Sequence, residues 1–221
     1  MPLPTSSSRK RAVSYVYHPD SGGYQYASNH LMKPHRSRIT NELVRAYELH
    51  DHMKVIQPPA STIDRVKDFL TAFHADEYIE FLSKVTPDNA YQLLDESIHF
   101  NVGCDCPVFD GLLRYCTLYT AASCVGAREL TSQNSDIAIH WGGGLHHARR
   151  FEASGFCFVN DCVLAILEML KIYDRVIYVD IDIHHGDGVE EAFYTTDRVM
   201  TVSFHHLAKG FFPGSGAITD V

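Results

Sequence analysis

The sequence predicts an α/β fold with a mainly parallel β-sheet, and three observations support this. The second half of the chain alternates apolar segments typical of strands with helical segments, in the order strand, helix, strand, helix, strand. Polar residues collect where those strand segments end, and open parallel sheets hold their binding sites at such ends. The chain has 221 residues and is 45% hydrophobic, which suits one sizeable globular domain.

The first half begins with a predicted strand over residues 11–19, in which Val13, Tyr15 and Tyr17 alternate with small or polar residues. A loop rich in glycine, asparagine and aromatic residues follows. Residues 37–51 then predict a helix whose apolar residues recur at helical spacing and share one face: Ile39, Leu43, Ala46 and Tyr47.

The middle of the chain is predicted to contain an extended segment, a helix, a loop and a long helix. Residues 55–61 are predicted to be extended, because two consecutive prolines disfavour helix there. A helix is predicted over 75–85, and residues 86–109 are predicted to be mostly loop. Residues 111–130 form a long run of helix formers and small residues, which predicts a closely packed helix.

The second half supplies the alternation that defines the fold class. Its predicted elements are a strand over 136–140, a helix over 160–173, a strand over 175–183, a helix over 188–194 and a strand over 199–204. Asn160 or Asp161 is expected to cap the first of these helices. No repeat, low-complexity tract or linker divides the chain into two domains.

Composition excludes several classes of protein. Twenty-seven acidic against nineteen basic residues give a net charge of −8, which argues against direct nucleic-acid binding. No apolar run reaches the roughly 18 residues of a membrane span, so no membrane association is expected. Six cysteines without a CxxC pair predict free thiols in a reducing compartment. Residues 1–12 are expected to be a disordered basic tail, although "SSSRKR" could also serve as a nuclear localisation signal.

The stretch "YVDIDIHHGDG" at residues 178–188 carries an unusual density of charge for a strand. Strand alternation would place Asp180, Asp182 and His184 on one face, opposite Val179, Ile181 and Ile183. Carboxylate and imidazole groups at this spacing are good zinc ligands, and further carboxylates could orient histidines. The alternative is a structural polar cluster, but burying so many charged groups without a metal would be costly.

A second cluster follows the strand over 136–140, in "GGGLHH" at residues 142–147. The glycines allow unusual backbone angles and close approach. His146 and His147 next to a metal site would be natural general acids or bases. The other prominent histidines are expected to be ordinary core or surface residues: His18, His50, His52, His74 and His99.

Together with five further motifs, these residues resemble class I histone deacetylases. The motifs are "KPHR" (33–36), "DCP" (105–107), "GGGLHHA" (142–148), "EASGFCFVND" (152–161), "YVDIDIHHGDGVEEAF" (178–193), "VMTVSFH" (199–205) and "GFFPGSG" (210–216). The resemblance implies an arginase/deacetylase-like three-layer αβα fold whose C-terminal part is missing here. Residues 13–221 would then be the N-terminal portion of a catalytic domain that hydrolyses N6-acetyl-lysine on histone tails with Zn²⁺.

The resemblance also implies roles for individual residues. Asp182 and His184 would bind zinc. His146 and His147 would be catalytic, backed by Asp180 and Asp187 respectively. Substrate would contact Asp105, Gly155, Phe156, Phe212 and Arg36. A structural K⁺ would lie among Asp180, Asp182, His184, Ser203 and Phe204, and a second among Phe193, Thr196 and Val199.

Some family features are absent from these 221 residues. In the family, a third zinc ligand, an Asp, and a transition-state Tyr come from a later part of the chain, so the 1–221 polypeptide alone is expected to be inactive. Acetylated histone tails and corepressor subunits would be its partners, in the nucleus or also the cytoplasm. Inositol phosphate binding is doubtful, since Lys33 is kept but Gln25 and Asn29 depart from the basic loop of corepressor-bound enzymes.

Two alternatives to this function stay open at this point. An acetylpolyamine deacetylase would share the histidine pair, while a ureohydrolase of the same fold would bind two manganese ions through additional Asp ligands. A truncated, non-catalytic form could instead act as a corepressor-binding scaffold. The class I loops "KPHR" and "GGGLHHARRFEASGFC" favour the histone deacetylase.

Overall fold

A computed structural model describes residues 10–220, and at positions 66 and 67 it describes the backbone only. Most of the predicted basic tail therefore lies outside the described residues. The strands are β1 (Val13–Val16), β2 (Lys54–Ile56), β3 (Ile137–Ile139), β4 (Val176–Asp180) and β5 (Val199–Ser203). The helices are α1 (His35–Ala46), α2 (Ala60–Leu70), α3 (Asp76–Lys84), α4 (Leu94–His99), α5 (Leu112–Thr131), α6 (Asp161–Met169) and α7 (Asp187–Phe193), with 3₁₀ turns at Pro19–Gly23 and Leu49–His52.

The strands form two parallel sheets, which confirms the predicted α/β class. One sheet has the order β2-β1-β3, and the other pairs β4 with β5. In the second sheet Asp180 lies opposite Ser203 at the last register position. The carboxyl ends of β4 and β5 therefore lie side by side, at the point where the charged stretch that includes Asp180 leaves the sheet.

Helix α5 runs through the main core and packs along α6. Two buried tyrosines on α3 and α5 hold the segment that leads into α6: Tyr78 donates a hydrogen bond to the carbonyl of Phe158 (2.8 Å), and Tyr119 donates to that of Val159 (2.9 Å). Fully burying one such ring contributes about 1.5–3 kcal/mol. This packing fixes where α6 starts.

Helix α1 forms close to its predicted position, but its buried face is different. The structure buries Ser37, Asn41 and Val44, whereas Ile39 and Leu43 are more than half exposed. Asn41 accepts a hydrogen bond from the hydroxyl of Tyr15 on β1 (3.2 Å). The helix thus docks through a polar contact, and residues 10–220 leave its apolar side uncovered.

Three other expectations needed correction. Residues 60–70 form α2, which the sequence did not predict, and α4 interrupts the predicted loop over 86–109. The strand predicted over 175–183 ends at Asp180. Asp182 and His184 therefore lie in a loop rather than on a regular strand face, because the chain turns at this point to hydrogen-bond with its own side chains.

One face of the β4–β5 sheet is covered by α6 and α7, and the other is open. The covered face packs Val176 and Tyr178 against the helices. The open side exposes large apolar residues: Ile177, Val179, Ile181, Ile183, Met200 and Phe204. Parallel sheets are normally covered on both faces, so residues 10–220 leave this part of the sheet incompletely buried.

The cysteines are as the composition indicated. All six cysteines are free, and four of them are buried. Among the helices of residues 10–220, none combines the length and apolar character needed to cross a membrane.

The core histidine His74 makes stability depend on pH. Its ring is 1% exposed, and its Nε2 accepts a hydrogen bond from the backbone N–H of Asn160 (3.0 Å). Burial lowers the pKa of His74 from 6.5 to about 4. The unfolded chain therefore binds a proton at this side chain near pH 6.5, whereas the folded chain binds it only near pH 4. The free energy of unfolding falls by roughly 3 kcal/mol across that interval.

We expect His74→Gln, which can accept the same hydrogen bond, to lose this pH dependence. Urea unfolding of both proteins at pH 7 and pH 4 measures the difference in stability between them. Between pH 7 and pH 4, the unfolding free energy of the variant should rise by roughly 3 kcal/mol relative to that of the original chain. An unchanged difference at the two pH values would contradict the assignment.

Candidate active site

His146 and His147 lie in the turn that follows β3 and are both buried. Gly144 adopts a left-handed conformation (φ +93°), and its carbonyl accepts a hydrogen bond from the N–H of His146 (3.0 Å). The two imidazole rings are 3.9 Å apart, centre to centre. The glycine run thus turns the chain so that two adjacent side chains enter the same site.

Each histidine is paired with one buried aspartate. Nδ1 of His146 is 2.5 Å from Oδ2 of Asp180, at the end of β4, and Nδ1 of His147 is 2.7 Å from Oδ1 of Asp187, the first residue of α7. An ionised carboxylate can only accept, so both Nδ1 atoms carry the proton. On each ring the aspartate is bonded to Nδ1, so Nε2 is the nitrogen that is available to a bound ligand.

The two pairs differ in their protonation equilibria. Burial would lower the pKa of His146, but the hydrogen bond and charge of Asp180 outweigh it and raise this pKa above 6.5. Burial dominates at His147 and lowers its pKa despite Asp187. Burial opposes ionisation of Asp180, yet its bonds to His146 and Tyr178 hold its pKa at about 2. The site therefore holds one histidine that favours the charged form and one that favours the neutral form.

Asp182 and His184 follow β4 in a loop fixed by hydrogen bonds between neighbours. The N–H of Asp182 donates to Oδ1 of Asp180 (2.9 Å), and the N–H of His184 donates to Oδ1 of Asp182 (2.8 Å). Their side chains are 49% and 36% exposed, so a ligand can reach them. Asp182 and His184 therefore do lie next to Asp180, as predicted, but a loop brings them there and not the alternation of a strand.

These side chains fit a zinc ion. Nδ1 of His184 and Oδ1 of Asp182 are 3.0 Å apart, close to the roughly 3.3 Å that separates two ligands of one tetrahedral zinc. Oδ1 of Asp182 also lies 4.0 Å from Nε2 of His146. His146, His147 and Asp182 place ligand-type atoms within 4.8 Å of one another. An ion held by Asp182 and His184 would therefore lie beside the histidine pair.

Aromatic rings flank the histidines. The ring of Phe212 meets His147 edge-on at 4.8 Å, and Phe211 stacks on His184 at 5.1 Å. Gly155 is left-handed (φ +51°), and a Cβ there would come within 2.6 Å of Cδ2 of His147. Glycine is therefore required at this position for the chain to pass so close to the His147 ring.

Phe156 follows in a left-handed conformation (φ +70°) that is unusual for a phenylalanine. The buried hydroxyl of Tyr26 donates to its carbonyl (2.7 Å), and the ring of His30 packs edge-on against it at 4.7 Å. His30 Nε2 also lies 3.1 Å from the carbonyl of Asp105. His30 therefore links Asp105, which is exposed, to Phe156.

Arg36 lies on the opposite side of the glycine turn. It lines a cavity of about 240 Å³ together with Gly142, Gly143, Trp141 and Tyr115. The structure thus places Arg36 beside the glycines that precede the histidine pair.

The residues assigned to potassium divide into two groups. Ser203 is paired in register with Asp180, and the N–H of Phe204 donates to the Asp180 carbonyl (2.9 Å), so this set is brought together. Phe193 ends α7 and Val199 begins β5, and both side chains lie in the core. The N–H of Thr196 donates to the Phe193 carbonyl (3.1 Å). The second set forms a turn between α7 and β5.

Sequence reasoning missed three supporting side chains. Tyr178 donates to Oδ2 of Asp180 (2.7 Å), Arg149 donates to Oδ2 of Asp187 (3.3 Å), and Tyr26 holds Phe156 as described above. Tyr178 lies two residues before Asp180, on the same side of β4, which could have indicated its contact. Nothing local indicates Tyr26, which is 130 residues from its partner.

The comparisons with known proteins agree with this geometry. The family profile described as the histone deacetylase domain matches residues 30–221. The chain is 51% identical to Histone deacetylase RPD3 of Saccharomyces cerevisiae over 220 residues, covering 100% of this chain and 50% of that protein.

Two further relatives give similar values. Histone deacetylase clr6 of Schizosaccharomyces pombe is 54% identical over 211 residues (96% of this chain and 51% of the relative). Histone deacetylase 1 of Homo sapiens is 52% identical over 212 residues (96% and 43%). The chain spans about half the length of the curated relatives it matches. A family match over most of the chain and identities above 50% establish that it belongs to the class I histone deacetylase family.

Proposed function

We propose that the protein containing this chain removes acetyl groups from N6-acetyl-lysine on histone tails by zinc-dependent hydrolysis. The observation that carries the proposal is the convergence of the His146–Asp180 and His147–Asp187 pairs on Asp182 and His184. Zinc held by Asp182 and His184 would lower the pKa of a bound water and polarise the amide carbonyl. This chain also contributes the two histidine–aspartate pairs beside that ion.

His147 is proposed as the general base and acid. Asp187 fixes its Nδ1–H, so Nε2 has a lone pair that takes the proton of the attacking water. The same Nε2–H then donates that proton to the departing lysine amine. Asp180 holds His146 in the matching tautomer, and His146 stabilises the negative charge that develops beside it.

The aromatic walls favour an acetylated over a free lysine. Phe212 packs against His147, and Phe156 follows Gly155, whose backbone passes close to the same ring. We propose that these two phenylalanines suit a thin alkyl stem with a neutral amide tip. A charged lysine would be costly to desolvate between such rings. Asp105 at the rim is proposed to accept hydrogen bonds from the substrate backbone, while Arg36 lines the inner cavity that receives acetate.

The biological setting is proposed from the relatives' names. They are histone deacetylases, so we propose a nuclear role in transcriptional repression, with acetylated histone tails as substrate and corepressor subunits as partners. K⁺ is proposed to bind beside Asp180 and Ser203, and a second K⁺ at the turn of Phe193, Thr196 and Val199.

A chimera tests the proposal. This chain, joined to the part of RPD3 outside the matched region, is expected to release acetate from an acetyl-lysine histone peptide in preference to acetylspermidine. A zinc chelator should abolish turnover and added Zn²⁺ restore it. A folded chimera that fails on the histone peptide, or that prefers acetylspermidine, would contradict the proposal.

The 1–221 polypeptide by itself is expected to be inactive. Catalytic zinc sites use three protein ligands, and we assign two, Asp182 and His184, among residues 10–220. Acetate release by the purified polypeptide with added Zn²⁺ measures this, with the chimera as the positive control. A rate of acetate release within tenfold of the chimera's rate would contradict this expectation.

A further inference from the structure

Helix α6 starts with two polar side chains that are both completely buried. Asn160 and Asp161 are 0% and 1% exposed. Oδ1 of Asn160 accepts a hydrogen bond from the N–H of Val163 (3.1 Å) and so caps the helix, as the sequence predicted. The amide nitrogen of Asn160 and both carboxylate oxygens of Asp161 then need other hydrogen-bond partners, since buried polar groups are normally hydrogen-bonded.

The carboxylate of Asp161 binds the turn just before the histidine pair. Its Oδ1 accepts from the N–H of Leu145 (2.8 Å), and both oxygens lie 3.1 Å from the N–H of Gly144. Oδ2 also accepts from the hydroxyl of Ser123 on α5 (2.5 Å). Three neutral donors therefore hold this buried charge in one orientation.

The amide of Asn160 binds the same turn on the other side. Its Nδ2 donates to the carbonyls of His146 and Ala148, both at 3.0 Å. Its own backbone N–H is fixed by His74. Two adjacent side chains thus hold the N–H groups of Gly144 and Leu145 and the carbonyls of His146 and Ala148, which flank His147 in the chain.

These hydrogen bonds satisfy buried backbone groups of the turn that no regular secondary structure satisfies. Residues 144–148 belong to no helix or strand, so no regular ladder satisfies their buried backbone groups. The left-handed Gly144 also gives this segment extra conformational freedom. The Nδ1 atoms of His146 and His147 meet Asp180 and Asp187 at 2.5 and 2.7 Å, which requires their backbone to be fixed.

We propose that Asn160 and Asp161 are positioning residues that fix the backbone of the His146–His147 segment in its catalytic geometry. The effect on catalysis rests on the proposed deacetylase function, whereas the backbone clamp does not. A displacement of about 1 Å in such a segment can cost on the order of 100-fold in rate.

Hydrogen exchange on the 221-residue chain tests the clamp directly. Asp161→Asn has nearly the same shape but replaces one acceptor oxygen by a donor. We expect the Gly144 and Leu145 amides to exchange at least about tenfold faster in this variant, which corresponds to about 1.4 kcal/mol. Wild-type amides at these two positions that exchange like an unfolded chain would overturn the proposal.

Glu168→Gln is the matched control. Glu168 is a buried acid near the other end of α6, paired with Arg128 and Lys171. Its loss is expected to destabilise the protein without speeding exchange at Gly144 and Leu145 beyond the general effect. Equal local acceleration in both variants would show that Asp161 serves general stability only.

A second variant covers the case in which Asp161→Asn does not fold. Asn160→Ser keeps a good capping oxygen but removes the two donors to His146 and Ala148. NMR signals of ¹⁵N-labelled imidazoles are expected to shift for His146 and His147 and to stay fixed for His99, which is exposed on α4. Unmoved signals of the pair, or failure of both variants to fold while Glu168→Gln folds, would overturn the positioning role.

Kinetics on the RPD3 chimera complete the test. Both variants are expected to lower kcat about 10- to 100-fold with KM changed less than about threefold, as for side chains that orient catalytic groups. A rise in KM with unchanged kcat would overturn the role in catalysis. An inactive unmodified chimera would count against the proposed function alone, because the exchange data do not depend on turnover.

Discussion

His147→Ala in the RPD3 chimera is expected to lower kcat/KM for an acetyl-lysine histone peptide by about 10²–10⁴-fold. The variant removes the Nε2 atom that we propose takes and returns the proton. It also leaves the carboxylate of Asp187 without its 2.7 Å partner, although Arg149 still donates to it. Initial rates over a range of peptide concentrations measure the effect.

His99→Ala is the control for this prediction. His99 is an exposed histidine at the end of α4, so the same substitution should leave kcat/KM within about twofold. Binding of the peptide by the His147 variant should persist, since the aromatic walls are unchanged. Residual activity above about a tenth of the unmodified chimera would refute the assignment of His147 as general base.

Gly188→Ala is expected to destabilise the chain by about 2–4 kcal/mol. A Cβ at this position would lie 2.5 Å from the carbonyl oxygen of His146 and 2.8 Å from that of Ala148. Both are backbone atoms, and both already accept hydrogen bonds from Asn160. The methyl group can be accommodated only if α7 separates from the histidine segment, which would also pull Asp187 away from His147.

Gly103→Ala is the matched control, because a Cβ there meets nothing within 4 Å. Its unfolding free energy should stay within about 0.5 kcal/mol of the original. Urea denaturation of the two variants measures the difference. If Gly188→Ala were as stable as Gly103→Ala, the close packing of α7 on the histidine turn would be wrong.

The fold class was predictable because strand and helix alternate clearly in the second half. The β4 and β5 segments were recognised as apolar strands, and their parallel pairing follows from the helix between them. The helices that were missed or differently oriented are in the first half. Helix α1 showed an apolar stripe that predicted the wrong buried face, because its contact with β1 is a hydrogen bond between Asn41 and Tyr15.

The candidate site was predictable to the level of its residues. The glycine turn and the charged end of β4 identified His146, His147, Asp180, Asp182 and Asp187 by residue type and order, and the structure brings them together. Their assigned roles in catalysis and zinc binding stay predictions. The reasoning from strand alternation was wrong in detail, because β4 ends at Asp180 and a loop presents Asp182 and His184.

The sequence by itself thus determined the fold class, the family resemblance and the identity of the polar residues at the strand ends, because these depend on local pattern and composition. The structure contains the His146–Asp180 and His147–Asp187 pairs that the resemblance implied. Only the tertiary structure decided how Tyr26 supports Phe156 and how Asn160 and Asp161 hold the histidine turn. Such contacts join residues from 12 to 130 positions apart. They depend on how helices and sheets pack, and no local pattern in the chain encodes that distance.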